Sequence, residues 1–249
     1  MPVALVTGSG KKRVGWHVAD ALARRGFDIA VHCRTSRTET EATLEHLRSL
    51  NVQAEPFQAD LADESAVLYM VMKVLDRFGR TDVLVNAAAI WKRKPLEEVT
   101  ATDVRQHFET NTLGTFLCCR NVGLAMAKQA EGGLIVNIGE WADVRPYLHF
   151  AAYFTSKAAI PGLTRMFAVE LGTRNPNVRV NAVLPGPVMI PDDLPEAERR
   201  VSIEGTLVKR AGSPEHVAKA VLSFLDNDFI TGACLTVDGG RTVHANEAQ

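Results

Sequence analysis

Val3-Ala4-Leu5-Val6-Thr7-Gly8-Ser9-Gly10-Lys11-Lys12-Arg13-Val14-Gly15 sets the reading of the whole chain. It runs from a short apolar strand through a glycine turn into a segment of helical period, Val14 to Arg25. Gly8 allows the tight turn, Gly15 lets the helix pack close to the sheet, and the helix's first N–H groups face the turn, where they suit a pyrophosphate. A nucleoside-triphosphate loop requires Gly-x-x-x-x-Gly-Lys-Ser/Thr. Neither Lys11 nor Lys12 stands in that frame with a following hydroxyl.

The same alternation continues outward. Strands are expected near Val3–Thr7, Asp28–Cys33, Gln53–Gln58, Val83–Asn86, Gly133–Ile138, Arg179–Leu184 and Cys234–Val237, with helical segments between them. Connections of that length make the sheet parallel with right-handed crossovers, so helices cover both faces. The expected fold is α/β, a single doubly wound Rossmann-type domain over residues 1–249 with a seven-stranded parallel sheet. Its ligand crevice lies at the carboxyl ends of the strands. No repeat, low-complexity tract or linker divides the chain. Residues of about 185–210 form the expected substrate loop region. Pro185, Pro187, Pro191 and Pro195 keep Pro185–Glu196 out of regular structure, as suits an active-site lid.

A formal net charge of -1 over 249 residues, with 46% hydrophobic and 23% charged residues, describes an ordinary globular protein. It offers no electrostatic support for nucleic acid or an anionic membrane as partner. Met1 leads almost directly into the first strand, no apolar run reaches the ~20 residues of a membrane span, and Cys33, Cys118, Cys119 and Cys234 show no Cys-x-x-Cys spacing. The expectation is a cytoplasmic protein with reduced thiols. The seven histidines show no metal-ligand spacing, so no metal is expected.

Cofactor type is decided where the second strand ends. That stretch is His32-Cys33-Arg34-Thr35-Ser36-Arg37, with cations and hydroxyls where an NAD site places an acid. Arg34 and Thr35 suit a 2′-phosphate that a carboxylate would repel, which points to NADP(H). Asp60 and Leu61 follow the third strand, where an acid can accept from an adenine amino group. Asn86 and Ala87 follow the fourth, where small side chains permit close approach of a cofactor.

Tyr153-Phe154-Thr155-Ser156-Lys157 opens a long helical segment to Arg174, and the i, i+4 spacing stacks Tyr153 and Lys157 on one face. A phenol near its ordinary pKa of ~10 is a serviceable acid, and a neighbouring ammonium draws that pKa toward working pH.

Together with the glycine turn, Asn86, Asn111 and Pro185-Gly186, this order of motifs resembles the classical short-chain dehydrogenase/reductase family from Val3 to Gly240. The resemblance implies that Tyr153 is the general acid/base. Lys157 then lowers its pKa while holding the nicotinamide ribose, and Asn111 orders a proton-relay water. The glycine turn, with Gly8, Arg13 and Val14, and the Pro185-Gly186 turn hold the cofactor. It also implies a homotetramer; Phe116, Leu117, Phe167 and Leu171, on two segments apolar on more than one face, suit burial against another subunit.

The departures narrow the expectation. The family's catalytic serine, thirteen residues before Tyr153, is Glu140 here, and Arg13 replaces the middle glycine of the first turn. Both resemble the pteridine reductase branch, in which Trp91 matches the position of a ring-stacking aromatic. A glutamate donates only when protonated, which suits reduction of a C=N bond better than alcohol oxidation. The expectation is therefore NADPH-dependent hydride transfer to a small-molecule planar heterocycle such as a dihydropterin, with Trp91, Glu140, Tyr153 and Arg13 on the substrate. The alternatives are a carbonyl reductase of the 3-oxoacyl-carrier-protein or ketone type, and an inactive NADPH-binding regulatory protein. Glu140 has a rival partner in Arg145.

Overall fold

In the computed structural model, which describes residues 1–143, 145–190 and 194–244, seven parallel strands form one sheet. The strands are β1 (Val3–Thr7), β2 (Asp28–Cys33), β3 (Ala54–Gln58), β4 (Val83–Asn86), β5 (Gly133–Ile138), β6 (Val178–Pro185) and β7 (Cys234–Val237). Among the described residues the helices are α1 (Val14–Ala23), α2 (Arg37–Arg48), α3 (Glu64–Phe78), α4 (Ala101–His107), α5 (Gly114–Met126), α6 (Ala151–Lys157), α7 (Ile160–Gly172), α8 (Glu196–Glu204) and α9 (Pro214–Asp226). The expected Rossmann-like α/β architecture is the observed one.

The strand order is β3-β2-β1-β4-β5-β6-β7, so the chain reverses its direction of growth between β1 and β4. Register places Thr7 beside Asn86 and Asn86 beside Asn137, a polar row across the carboxyl ends. Below that row the central strands β1 and β4 are apolar on both sides. All five residues of β1 are buried, which is why it reads as a continuous hydrophobic run. Ala4 and Val6 face Val18, Leu22, Leu47, Val221 and Phe224 of α1, α2 and α9. Leu5 faces the opposite layer of Val67, Met70, Leu117, Phe167 and Leu171 from α3, α5 and α7. Each such side chain contributes about 1.5–3 kcal/mol by leaving water.

Three segments differ from expectation. The long run around Thr102–Lys128 starts one residue earlier, on a Thr100–Asp103 capping box, and its middle turn, Phe108–Leu113, is a π-helix. The run from Tyr153 to Arg174 is broken between α6 and α7. Pro161 lacks an N–H and its ring opposes the carbonyl four residues back, at Lys157. Phe167, Leu117 and Leu171 lie in the chain's own core and are not exposed for a subunit contact, while Phe116 is half-buried and packs against Phe167. The proline-rich stretch has no regular structure from Gly186 to Ile190; residues 191–193 of the expected lid lie outside the described residues.

Candidate active site

The glycine turn is built by contacts that sequence spacing does not reveal. Gly8 adopts φ +70°, and a Cβ there would stand 2.8 Å from Ala88 Cα, so only glycine fits. Thr7 Oγ1 accepts hydrogen bonds from Ala87 N at 3.0 Å and Ala88 N at 3.1 Å, tying the turn to the segment after β4. Gly15 packs so tightly that an added Cβ would lie 2.9 Å from Gly8 O. Arg13, the exposed N-cap residue of α1, makes no side-chain cap, and no acid stands in the first turn that begins at Val14. The Trp16 and His17 N–H groups are taken up by Arg13 O, which leaves the first N–H groups of the turn, at Val14 and Gly15, for an anion.

Around this turn lie the other residues expected to meet the cofactor. Arg34 and Thr35 are exposed just beyond β2, while the nearby Glu39 is engaged by Lys11 at 3.0 Å. Asp60 is exposed and accepts from Ala62 N at 3.0 Å; Leu61 is buried against Gly114. Asn86 Nδ2 donates to Asn137 Oδ1 at 2.9 Å, and its Oδ1 is a buried acceptor with no hydrogen-bond partner among the described residues. Gly186 N donates to Val237 O at 2.9 Å, and a Cβ on Gly186 would meet Asp238 Cα at 2.5 Å, which holds the Pro185-Gly186 turn against the end of β7. Open helix N–H groups, glycine cradles and an orphaned buried acceptor together fit a nicotinamide dinucleotide.

Tyr153 and Lys157 lie one turn apart on α6, both buried. The Tyr153 hydroxyl donates to Glu140 Oε2 at 2.7 Å. Burial, then the Glu140 charge and this hydrogen bond, hold the phenol well above its ordinary pKa. Lys157 Nζ donates to Ile138 O at 2.7 Å, and burial brings its pKa down to about 8, opposed by Glu140. The expectation that Lys157 draws the phenol toward neutral pH is not met in this arrangement, because the carboxylate, and not the ammonium, is the phenol's partner. Arg145 Nη1 donates to Arg241 O at 2.9 Å and to His244 O, while Glu140 Oε2 accepts from the phenol.

Asn111 sits in the π-helical turn and is clamped on three sides. Its Oδ1 accepts from Ile90 N at 2.8 Å, while Nδ2 donates to Ile90 O at 3.0 Å and to Ser156 Oγ at 2.9 Å. Ser156 Oγ in turn donates to Tyr153 O at 2.6 Å. Asn111 thereby locks α6 to the loop carrying Trp91. That tryptophan, 43% exposed, stacks on Phe150 with centroids 4.5 Å apart and planes at 11°, and it is hydrogen-bonded to Tyr147. Tyr147 also meets Phe154 edge-on at 4.6 Å and Trp141 at 6.3 Å, forming an aromatic wall beside Glu140 and Tyr153.

Sequence reasoning missed Thr7, His32, Ser156 and the Trp91–Tyr147 pairing. Thr7 and His32 carried a faint signal, as polar residues at the ends of otherwise apolar strands. Among the described residues no group of three His, Cys, Asp or Glu is placed to hold a metal, and no helix is long and apolar enough to cross a membrane.

Comparison with known proteins agrees with this geometry. Residues 9–242 match the family model described as enoyl-(acyl carrier protein) reductase. A 3-oxoacyl-[acyl-carrier-protein] reductase of Synechocystis sp. is 35% identical, over 97% of this chain and 97% of its own length. The uncharacterized oxidoreductase YohF of Escherichia coli is 32% identical, over 96% of this chain and 94% of its own. The crystal structure of acetoin dehydrogenase from Enterobacter cloacae superposes with a TM-score of 0.88 at 31% identity, covering 100% of this chain and 98% of that one. These relatives lend no support to the pteridine reductase branch. Strand order, glycine turn, Tyr153–Lys157 pair and whole-length similarity together make this chain an oxidoreductase of the classical short-chain dehydrogenase/reductase family.

Proposed function

We propose that the chain is an NADPH-dependent reductase in which Tyr153 donates the proton and Glu140 replenishes it. The hydrogen bond from the phenol to Glu140 Oε2 at 2.7 Å carries this reading. A phenol held well above its ordinary pKa stays protonated at neutral pH, so it cannot serve as the base of an alcohol oxidation and keeps a proton to give to the far more basic oxygen or nitrogen that develops in a reduction. The cofactor, when bound, supplies hydride to the substrate carbon. Tyr153 passes its proton to the heteroatom that gains charge; Glu140, a carboxylate while it accepts from the phenol, takes up a proton from solvent and returns it to the phenol oxygen, which resets the pair. The turn at Gly8, with Arg13, Val14 and the first turn of α1, would hold the pyrophosphate. Arg34 and Thr35 hold the 2′-phosphate, and Asp60, Asn86 and Lys157 hold the nucleoside ends. Exposed cations at Arg13 and Arg34 support NADPH over NADH.

For the substrate, the carbonyl reading comes first, because the relatives above include a 3-oxoacyl-carrier-protein reductase and an acetoin dehydrogenase. A second reading, a planar C=N heterocycle such as a dihydropterin, is favoured by the acid at Glu140 beside the Trp91–Phe150 stack. Glu140→Ser separates them. With dihydrobiopterin the serine variant should lose most turnover. With a ketone or acetoacetyl thioester it loses the proton return from Glu140 but gains a neutral hydroxyl donor for the carbonyl oxygen, so it should keep far more of the parent's rate. Absence of NADPH oxidation with either class in the parent overturns both. The homotetramer remains part of this reading, supported by exposed Leu113 and Leu124 on one helical run and Met166 and Val169 on α7; sedimentation of the purified chain tests it.

A further inference from the structure

His32 occupies a place in the sheet that the reaction chemistry does not require. It is the penultimate residue of β2, in a run otherwise apolar after Asp28, and is 2% exposed. Its ring spans the carboxyl ends of both neighbouring strands. Nδ1 accepts from Gly8 N at 2.9 Å on the β1 side, and Nε2 stands 3.1 Å from Ala59 O on the β3 side. A carbonyl can only accept, so Nε2 carries the proton and Nδ1 the lone pair; the ring is a neutral imidazole of one tautomer. Its own main-chain O also accepts from Gly10 N at 3.2 Å, so His32 grips the glycine turn at two points.

We propose that His32 is a positioning residue for the dinucleotide, holding the glycine turn in its binding shape through the Gly8 amide. The inference rests on the turn being the cofactor site. Gly8 is in the left-handed region at φ +70°, and its N–H points into the protein, away from solvent. Without an acceptor there, the turn must rotate to rehydrate that amide, and the N–H groups that follow it lose their common aim. The Nε2–H bond to Ala59 O fixes the ring and ties the turn to the start of the Asp60 loop, on which an adenine would rest. Of the charged groups around the ring, Asp60 acts on it by favouring the protonated form. Burial outweighs it and lowers the pKa to about 4.

Two near-isosteres divide the ring's two bonds. An asparagine amide reaches the place of Nδ1, so His32→Asn keeps an acceptor for Gly8; a glutamine amide reaches the place of Nε2, so His32→Gln keeps the Ala59 bond alone. Titration calorimetry with NADPH should show affinity within about threefold of the parent for His32→Asn. For His32→Gln and His32→Leu it should be weakened about tenfold or more, the scale of one lost hydrogen bond. Equal affinity in all three variants, or equal loss in all three, overturns the proposal. Nitrogen-detected NMR of the parent chain needs no variant: the His32 ring should be the Nε2–H tautomer and neutral at pH 5. An Nδ1–H tautomer, or titration at the usual histidine pH, also overturns it. If the parent binds no NADPH while the ring shows the expected tautomer, the cofactor reading fails and the geometry of the turn stands.

Discussion

Replacing Thr7 by valine isolates the clamp at the switch point of the sheet. The substitution is nearly isosteric, and Thr7 is 1% exposed, so packing is preserved and the hydroxyl alone is lost. That hydroxyl accepts from Ala87 N at 3.0 Å and Ala88 N at 3.1 Å, and in the valine variant both amides lose their acceptor. An unsatisfied buried donor costs about 1–3 kcal/mol. Ala87 and Ala88 are only half-buried, which puts each near the lower end, so Thr7→Val should destabilise the chain by about 2–4 kcal/mol. Thr7→Ser keeps the acceptor and loses one buried methyl, at about 1 kcal/mol. Urea unfolding followed by circular dichroism gives both numbers. The expected order, serine more stable than valine, is the reverse of what apolar burial alone dictates. NADPH affinity should follow the same order, because the clamp holds the Ala87–Ala88 segment against Gly8. A valine variant as stable as the serine variant refutes the clamp.

Tyr153→Phe removes the proton donor while leaving the ring in its aromatic surroundings; turnover should fall by about 10²–10⁴-fold with NADPH binding retained. An unchanged rate refutes the acid role, and an effect confined to association with another protein would favour a regulatory function. Lys157 gives a pH signature: its pKa is about 8 in the fold against an ordinary 10.5, so between those values the unfolded chain binds more protons and stability rises with pH. The contribution across that window is about 3 kcal/mol. Lys157→Met should flatten the difference between urea midpoints at pH 8 and pH 10, and an unchanged slope counts against it.

The elements were largely legible because each is written locally. β1, β2, β4, β5 and β7 end where their apolar runs end, and Tyr153 and Lys157 share a helix face because four residues make one turn. The break after Lys157 was legible too, in Pro161, although the apolar period running through it suggested one helix. Phe167, Leu117 and Leu171 misled as subunit contacts, since periodicity shows that a face is apolar and not what covers it.

Sequence alone therefore determined the alternation of strands and helices, the glycine turn, the cationic end of β2 and the Tyr153–Lys157 spacing, all set by neighbours within a few residues. The tertiary structure decided which polar groups meet. Glu140 reaches Tyr153 across thirteen residues, His32 reaches Gly8 across twenty-four, and Thr7 reaches Ala87 across eighty. Those pairings depend on strand order and register. The β1–β4 reversal brings distant carboxyl ends together, and buried hydrogen-bonding groups must then find partners there.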